Sequence, residues 1–163
     1  RNVESILEIG TATGYSAIIM ANAMKNAGKI DTIERNEGRY EKAVKNVKNA
    51  GLEGVINIHF GDAFDVLAEL QNERYDMAFI DAAKGQYMEF YEKSMPLLKE
   101  NGIMVCDNVL QDGELAFSSV TVERRDHTVH RRMRDFLYDI KRDKELSVAV
   151  LTIGDGVLLV ERS

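Results

Sequence analysis

Asp81, Asp107 and Asn108 stand directly at the ends of two apolar runs of strand length. Two carboxylates and an amide oxygen are hard donors, suited to Mg2+ or Mn2+ with positions left open for water or a substrate. Lys84 follows Asp81 by three residues. That is close enough for a general base once a nearby dication depresses its pKa. A bound dication also acidifies and orients a coordinated hydroxyl, so the set predicts activation of a hydroxyl as a nucleophile. Taken singly, Lys84 reads as a solvated residue ahead of a helix, and Asp107-Asn108 as turn chemistry after a strand. No His/Cys grouping suits zinc, since His59 lies in an alternating run and His127 and His130 in a basic stretch.

A second set lies at the ends of the earlier runs. Glu8-x-Gly10-x-x-x-Gly14 has two glycines four apart, not the G-x-G-x-x-G that admits a pyrophosphate. A tight turn preceded by an acid suits a ligand without phosphates and with positive charge, and the sulfonium and amino group of S-adenosylmethionine fit. Glu34 ends the second run, where an acid accepts ribose hydroxyls. Asp62-Ala63 ends the third, where a carboxylate and a backbone N–H meet an adenine edge. Alone, the glycines are a plain turn, Glu34 a solvated strand end and Asp62 an N-cap. Their recurrence at successive strand ends favours one ligand site.

The elements that must position these residues alternate in kind. Strand-length apolar runs at Ser5–Ile9, Lys29–Glu34, Val55–Phe60, Tyr75–Asp81 and Gly102–Asp107 are separated by helical stretches. The helices are expected over Tyr15–Ala27 (with Ile18, Ile19, Ala23 and Met24 inward), Glu37–Ala50, a short piece ending near Leu70, Gln86–Leu98 and Asp126–Lys144. Two final strands, Ser147–Ile153 and Val157–Glu161, flank Gly154-Asp155-Gly156 as a hairpin. The pattern predicts an α/β fold: a mostly parallel, Rossmann-like seven-stranded sheet with an antiparallel C-terminal strand and helices on both faces. In such sheets ligands bind at the carboxyl ends of strands near the switch in strand order.

All 163 residues fit one domain with an ordinary apolar content of 45%. No run of about 18 apolar residues is present to span a bilayer, so no membrane partner is expected. A single cysteine, Cys106, excludes a disulfide framework, and a cytoplasmic setting is the default. The net charge of −6 argues against blanket attraction to nucleic acid. The chain opens Arg1-Asn2-Val3, without an initiator Met and almost at once in a strand pattern, so an N-terminal segment is expected to be missing.

Leu7-Glu8-Ile9-Gly10-Thr11-Ala12-Thr13-Gly14-Tyr15-Ser16 resembles the first motif of the cation-dependent, class I S-adenosylmethionine O-methyltransferases of catechol and caffeoyl-CoA type. Phe79-Ile80-Asp81-Ala82-Ala83-Lys84 with Tyr87 resembles their metal-and-base motif, and Val105-Cys106-Asp107-Asn108-Val109-Leu110 their second metal motif. The likeness runs from about Val3 to Val160 in order. It implies that Gly10, Ser16, Glu34, Asp62, Ala63 and Asp81 contact the cofactor, that Asp81, Asp107 and Asn108 hold the metal, and that Lys84 is the base. It also implies a homodimer for the full-length form.

Among bacterial relatives the look is nearest to the tRNA 5-hydroxyuridine methyltransferases. A 5-hydroxyuracil offers the same chelating pair of oxygens as a catechol, and Arg124, Arg125, Arg131, Arg132 and Arg134 form a local positive stretch for tRNA phosphates. The plainer alternative for that stretch is a solvated helix face paired with Asp135, Asp139 and Asp143. The competing acceptor is a small catechol-like or phenylpropanoid molecule. Readings from other classes are a nicotinamide-dependent oxidoreductase, which the missing third glycine and the hairpin disfavour, and a non-catalytic nucleoside-binding module.

Overall fold

The computed structural model describes residues 2–24, 28–110 and 127–162. Seven strands form one sheet in the order β3-β2-β1-β4-β5-β7-β6. They are β1 (Ser5–Ile9), β2 (Lys29–Glu34), β3 (Ile56–Phe60), β4 (Tyr75–Ile80), β5 (Leu98–Cys106), β6 (Leu146–Leu151) and β7 (Val157–Arg162). Chain order runs outward from β1 to β3, then jumps back across β1 to β4. The switch point therefore lies between β1 and β4, which pair in parallel from Ile6–Met77 to Ile9–Ile80. Only β7 runs against its neighbours, antiparallel to both β5 and β6. The expected sheet and its reversed C-terminal strand are as the sequence pattern predicts.

Helices α1 (Tyr15–Ala23), α2 (Glu37–Asn49), α3 (Ala63–Glu69), α4 (Tyr87–Ser94) and α5 (His127–Arg142) connect the strands. Side chains of alternating strand residues feed two cores. On one face Leu7, Ile9, Ile33, Ala78 and Ile80 pack with α3, α4 and α5 through Leu67, Phe90, Met133 and Phe136. On the other, Ile6, Ile30 and Ile56 pack with Ala17 of α1 and Val47 of α2.

Four expectations are corrected. The first helix ends at Ala23, with Met24 already extended; Lys25–Ala27 lie outside the described residues. Its inward residues are Ala17, Ile18, Met20, Ala21 and Met24, whereas Ile19 is 53% exposed and Ala23 is exposed. The helix is apolar on nearly every side, so its sequence period does not mark a buried face. Finally, the helix expected over Gln86–Leu98 divides into a 3-10 turn at Lys84–Gln86, α4, and a second 3-10 turn at Met95–Leu97. Pro96 cannot supply the N–H that continued α-helix needs. β5 then begins at Leu98, ahead of the expected Gly102.

Candidate active site

Because β1 and β4 diverge in connection at the switch point, the chain leaving β1 must pass over the end of β4. Gly10 does so with φ 108°, and a Cβ at this position would lie 2.0 Å from the carbonyl oxygen of Asp81. Only glycine combines that dihedral with that approach. The turn is then tied to β2, as the amides of Gly10 and Thr11 both donate to the Ile33 carbonyl at 3.1 Å. Gly14, at φ 85°, opens α1.

This turn forms the floor of a cavity of about 390 Å³ at the carboxyl ends of the strands. Gly10, Glu34, Asp62, Ala63 and Asp81 all line it, so five of the six expected cofactor residues share one site. Glu34 is 6% exposed. Its Oε2 accepts from the Ala12 amide at 2.9 Å and its Oε1 from the Asn36 amide at 2.8 Å. The carboxylate is thus fixed in place and keeps lone pairs for a diol. Asp62 caps α3 by accepting from the Phe64 amide at 2.9 Å. The capping role and the cavity role coexist in one side chain.

Ser16 is placed differently. It does not line this cavity; its hydroxyl donates to Glu8 Oε1, while Thr32 donates to Glu8 Oε2. Glu8 is fully buried beneath the turn, not facing a ligand as its position before the glycines had suggested. Burial pushes its carboxyl up from the usual range, against the two hydroxyl donors, and the charge of Asp81 adds to the rise. Phe64, Phe90, Gln86, Arg35 and Arg39 also line the cavity. None stood out in the sequence. Phe64 and Phe90 stack at 5.1 Å between ring centres and supply an apolar wall. An aromatic just inside a helix that starts at a ligand-facing strand end was the available signal, but it reads equally well as core.

Beside the cavity, β4 and β5 end in register at Ile80 and Cys106. Asp81 and Asp107 therefore emerge from adjacent strands. Asn108 adopts a left-handed φ of 59°, a conformation asparagine tolerates better than most residues. Its side-chain amide lies 3.4 Å from Asp81 Oδ1. Burial, together with the charge of Asp107, raises the Asp81 carboxyl, and Lys84 partly opposes this. Two neighbouring carboxylates, beside an amide whose oxygen and nitrogen exchange by a flip, fit a hard cation. Among the described residues no cluster of three or more His, Cys, Asp and Glu exists; this set is completed by an amide instead.

The segment is braced from two sides. The buried Tyr87 hydroxyl donates to the Asp107 carbonyl at 2.7 Å. The hairpin turn before β7 accepts the Val109 and Leu110 amides through Gly156 and Asp155, at 3.0 and 2.8 Å. Of the expected tRNA-binding arginines, Arg124 and Arg125 lie outside the described residues. Arg131, Arg132 and Arg134 are exposed on α5, and Arg132 Nη1 donates to the Gly85 carbonyl at 3.2 Å, next to Lys84.

Comparison with known proteins gives a consistent result. The model of the O-methyltransferase family matches residues 1–163. The chain is 34% identical over 164 residues to tapetum-specific methyltransferase 1 of Arabidopsis thaliana, covering 99% of this chain and 70% of that protein. It is 29% identical over 170 residues to a caffeoyl-CoA O-methyltransferase of Medicago sativa, covering 99% and 68%. The crystal structure of an O-methyltransferase from Bacillus cereus in complex with S-adenosylhomocysteine superposes with a TM-score of 0.87 at 28% identity, over 99% of this chain and 75% of that one.

Proposed function

The chain belongs to the O-methyltransferase family, and from this premise we propose that it moves a methyl group from S-adenosylmethionine to a hydroxyl whose neighbouring oxygen joins it in chelating a divalent cation. The observation carrying this reading is the convergence, across one switch point, of a cavity for a nucleoside with a two-carboxylate, one-amide set at the next strand ends. The cofactor supplies an electrophilic methyl carbon on a sulfonium. The fixed Glu34 carboxylate holds the ribose hydroxyls, Asp62 and the Ala63 amide meet the adenine, and Phe64 and Phe90 exclude water beside it. The Gly10 turn admits the donor close to Asp81 because no side chain intervenes.

Asp81, Asp107 and Asn108 would hold Mg2+ or Mn2+, which acidifies and orients hydroxyls. Lys84, beside Asp81, accepts the acceptor's hydroxyl proton. The oxygen lone pair then forms the bond to the methyl carbon as the carbon–sulfur bond breaks, leaving a methyl ether and S-adenosylhomocysteine. Tyr87 and the Gly154–Gly156 turn position the Asp107-Asn108 segment against β4.

For the acceptor, the similarity to a caffeoyl-CoA O-methyltransferase favours a small aromatic with vicinal oxygens. A tRNA 5-hydroxyuridine is the second reading, and the arginines of α5 beside Gly85 favour it. The direct test is calorimetric binding of S-adenosylmethionine with and without Mg2+, for the protein and for Asp107→Ala, followed by methyl transfer from labelled cofactor. Cofactor binding in every case, with the metal effect lost only in the variant, is expected. Failure of the cofactor to bind overturns the proposal. Labelled caffeate-type product marks the small-molecule acceptor. Loss of 5-methoxyuridine from the tRNA of a deletion strain marks the other.

A further inference from the structure

Three polar atoms meet on β2 and β3, outside the cavity. Asp31 and Asn57 pair across the two strands, and His59 lies two residues on, so the alternation of side chains puts all three on one face. Asp31 Oδ1 is 2.8 Å from His59 Nε2 and 3.0 Å from Asn57 Nδ2, and those two nitrogens are 2.9 Å apart. None of the three residues lines the cavity. Asp31 is buried, whereas Asn57 is exposed and His59 half-buried on the edge strand of the sheet. The other carboxylate oxygen, Oδ2, accepts from the Tyr75 hydroxyl at 2.9 Å and meets Lys29 Nζ at 3.0 Å. Lys29 is in turn 3.3 Å from Glu73, which offsets its charge. Burial raises the Asp31 carboxyl, but His59, Asn57, Lys29 and Tyr75 outweigh it and hold it below the usual range. The group is therefore ionised.

Hydrogen bonds alone do not satisfy this triangle. An ionised carboxylate oxygen only accepts, so both nitrogens must donate to it. With the proton on Nε2, two donors then face each other across the third edge, at 2.9 Å. With Nε2 bare it accepts from Asn57, and two acceptors face each other at 2.8 Å instead. Flipping the Asn57 amide sets its oxygen against Asp31 Oδ1 at 3.0 Å. One edge is repulsive in every case. A cation removes the conflict, because Asp31 Oδ1, the flipped Asn57 Oδ1 and the bare His59 Nε2 can all give lone pairs to one centre. The edge lengths define the geometry of that centre. With bonds of about 2.1 Å, ligand atoms at right angles lie about 3.0 Å apart, and those of a tetrahedron about 3.4 Å. All three edges fit one face of an octahedron.

We propose that Asp31, Asn57 and His59 form a second metal site, for an octahedral borderline divalent ion such as Co2+ or Ni2+, with water on the remaining positions. An imidazole beside two oxygens suits such an ion better than it suits Mg2+. The site is separate from Asp81, Asp107 and Asn108 and does not rest on the methyl-transfer reading. Bound there, the metal ties the edge strand β3 to β2 and, through Asp31, to Tyr75 at the start of β4. Its role is structural: it stabilises the β3 side of the sheet without touching the cavity.

Co2+ is the probe, titrated into the untagged, chelator-treated protein by calorimetry and visible spectroscopy, beside His59→Gln. The substitution keeps an amide N–H for Asp31 but removes the imidazole. His59→Gln is expected to take up one equivalent of Co2+ fewer than the wild type, and Asp107→Ala to lose a different one. The equivalent that depends on His59 should show the weak absorption of six-coordinate Co2+, not the intense bands of a four-coordinate ion. At 100 times its Kd it should raise Tm by roughly 5–10 °C, a shift that His59→Gln loses. In wild type carrying nitrogen-labelled histidine, Co2+ should shift and broaden the His59 ring resonances, which reads the same event without a variant. Equal uptake by wild type and His59→Gln, four-coordinate bands, or a His59 ring unmoved by Co2+ overturns the proposal. If uptake falls in His59→Gln but not in Asp107→Ala, it is the metal set of the proposed function that fails.

Discussion

Gly10 and Gly51 both sit at positive φ, yet they are under different constraints. At Gly51 (φ 68°) a Cβ meets nothing within 4 Å, whereas at Gly10 it meets the Asp81 carbonyl at 2.0 Å. Gly51→Ala should therefore cost about 1 kcal/mol, the left-handed penalty alone. Gly10→Ala must also part the β1 and β4 strand ends and should cost at least about 2 kcal/mol more. Urea midpoints measure both, and calorimetry should show cofactor affinity falling only for Gly10→Ala. Tyr87 tests the other half of the site. Tyr87→Phe removes the bond to the Asp107 carbonyl and should cost about 1 kcal/mol of stability. Because that bond braces the Asp107-Asn108 segment, the proposed metal site, and not the cavity floor, Mg2+ affinity should fall while S-adenosylmethionine affinity in chelator is unchanged. Equal losses in the two would show that Tyr87 acts on the fold as a whole.

Strand β1 is anchored at its start as firmly as at its end. Asp76 Oδ2 accepts from the Glu4 and Ser5 amides and from the Ser5 hydroxyl, and Oδ1 from Lys99 at 2.8 Å. Burial raises this carboxyl, but Lys99 and the β1 donors outweigh it and hold the pKa at about 2. A depressed carboxylate pKa stabilises the fold above the unfolded value near 3.8, and that contribution is lost as pH falls toward 2. The shift corresponds to about 2 kcal/mol, so Asp76→Asn should destabilise the protein at pH 7 and flatten its acid unfolding between about pH 4 and 2. Denaturant titrations across that window measure it. None of this was visible in the sequence, because Asp76 sits inside an apolar run that reads simply as a buried strand. The strands themselves were legible, since β1 to β5 are strand-length runs closed by turn or polar residues and the last two flank the Gly154-Asp155-Gly156 hairpin. The start of β5 was not: Lys99, Glu100 and Asn101 are exposed and look like a loop, while Asn101 takes φ 66° and the β4 register shifts between Tyr75 and Met77. That Gly10, Glu34, Asp62, Ala63 and Asp81 gather around one cavity was readable because strand ends in a parallel sheet share one edge. Glu8 was misread because position along a strand does not say which side of the turn a side chain occupies.

At the scale of the whole molecule, the site joins two halves of one sheet whose strands pair with each other across β1 and β4. Gly10, Glu34 and Asp62 come from the β1-β2-β3 half, and Asp81, Asp107 and Asn108 from the β4-β5 half, which β7 extends. A ligand in the cavity contacts both halves, and so opposes their separation as well as local opening. Ligand that binds only the folded state at 100 times its dissociation constant stabilises by about 2.7 kcal/mol. For a domain of this size that raises Tm by roughly 5–10 °C. S-adenosylhomocysteine should produce that shift in a thermal melt, and Mg2+ a further one. Asp107→Ala, on the β4-β5 side and outside the cavity lining, should keep the first shift and lose the second. Glu34→Gln leaves an amide that donates where a diol and two backbone amides need an acceptor, so it should lose most of the first shift and keep the response to Mg2+. If either substitution abolished both responses, the nucleoside cavity and the metal set would have to be one inseparable site, and not two adjacent sites brought together by the switch in strand order.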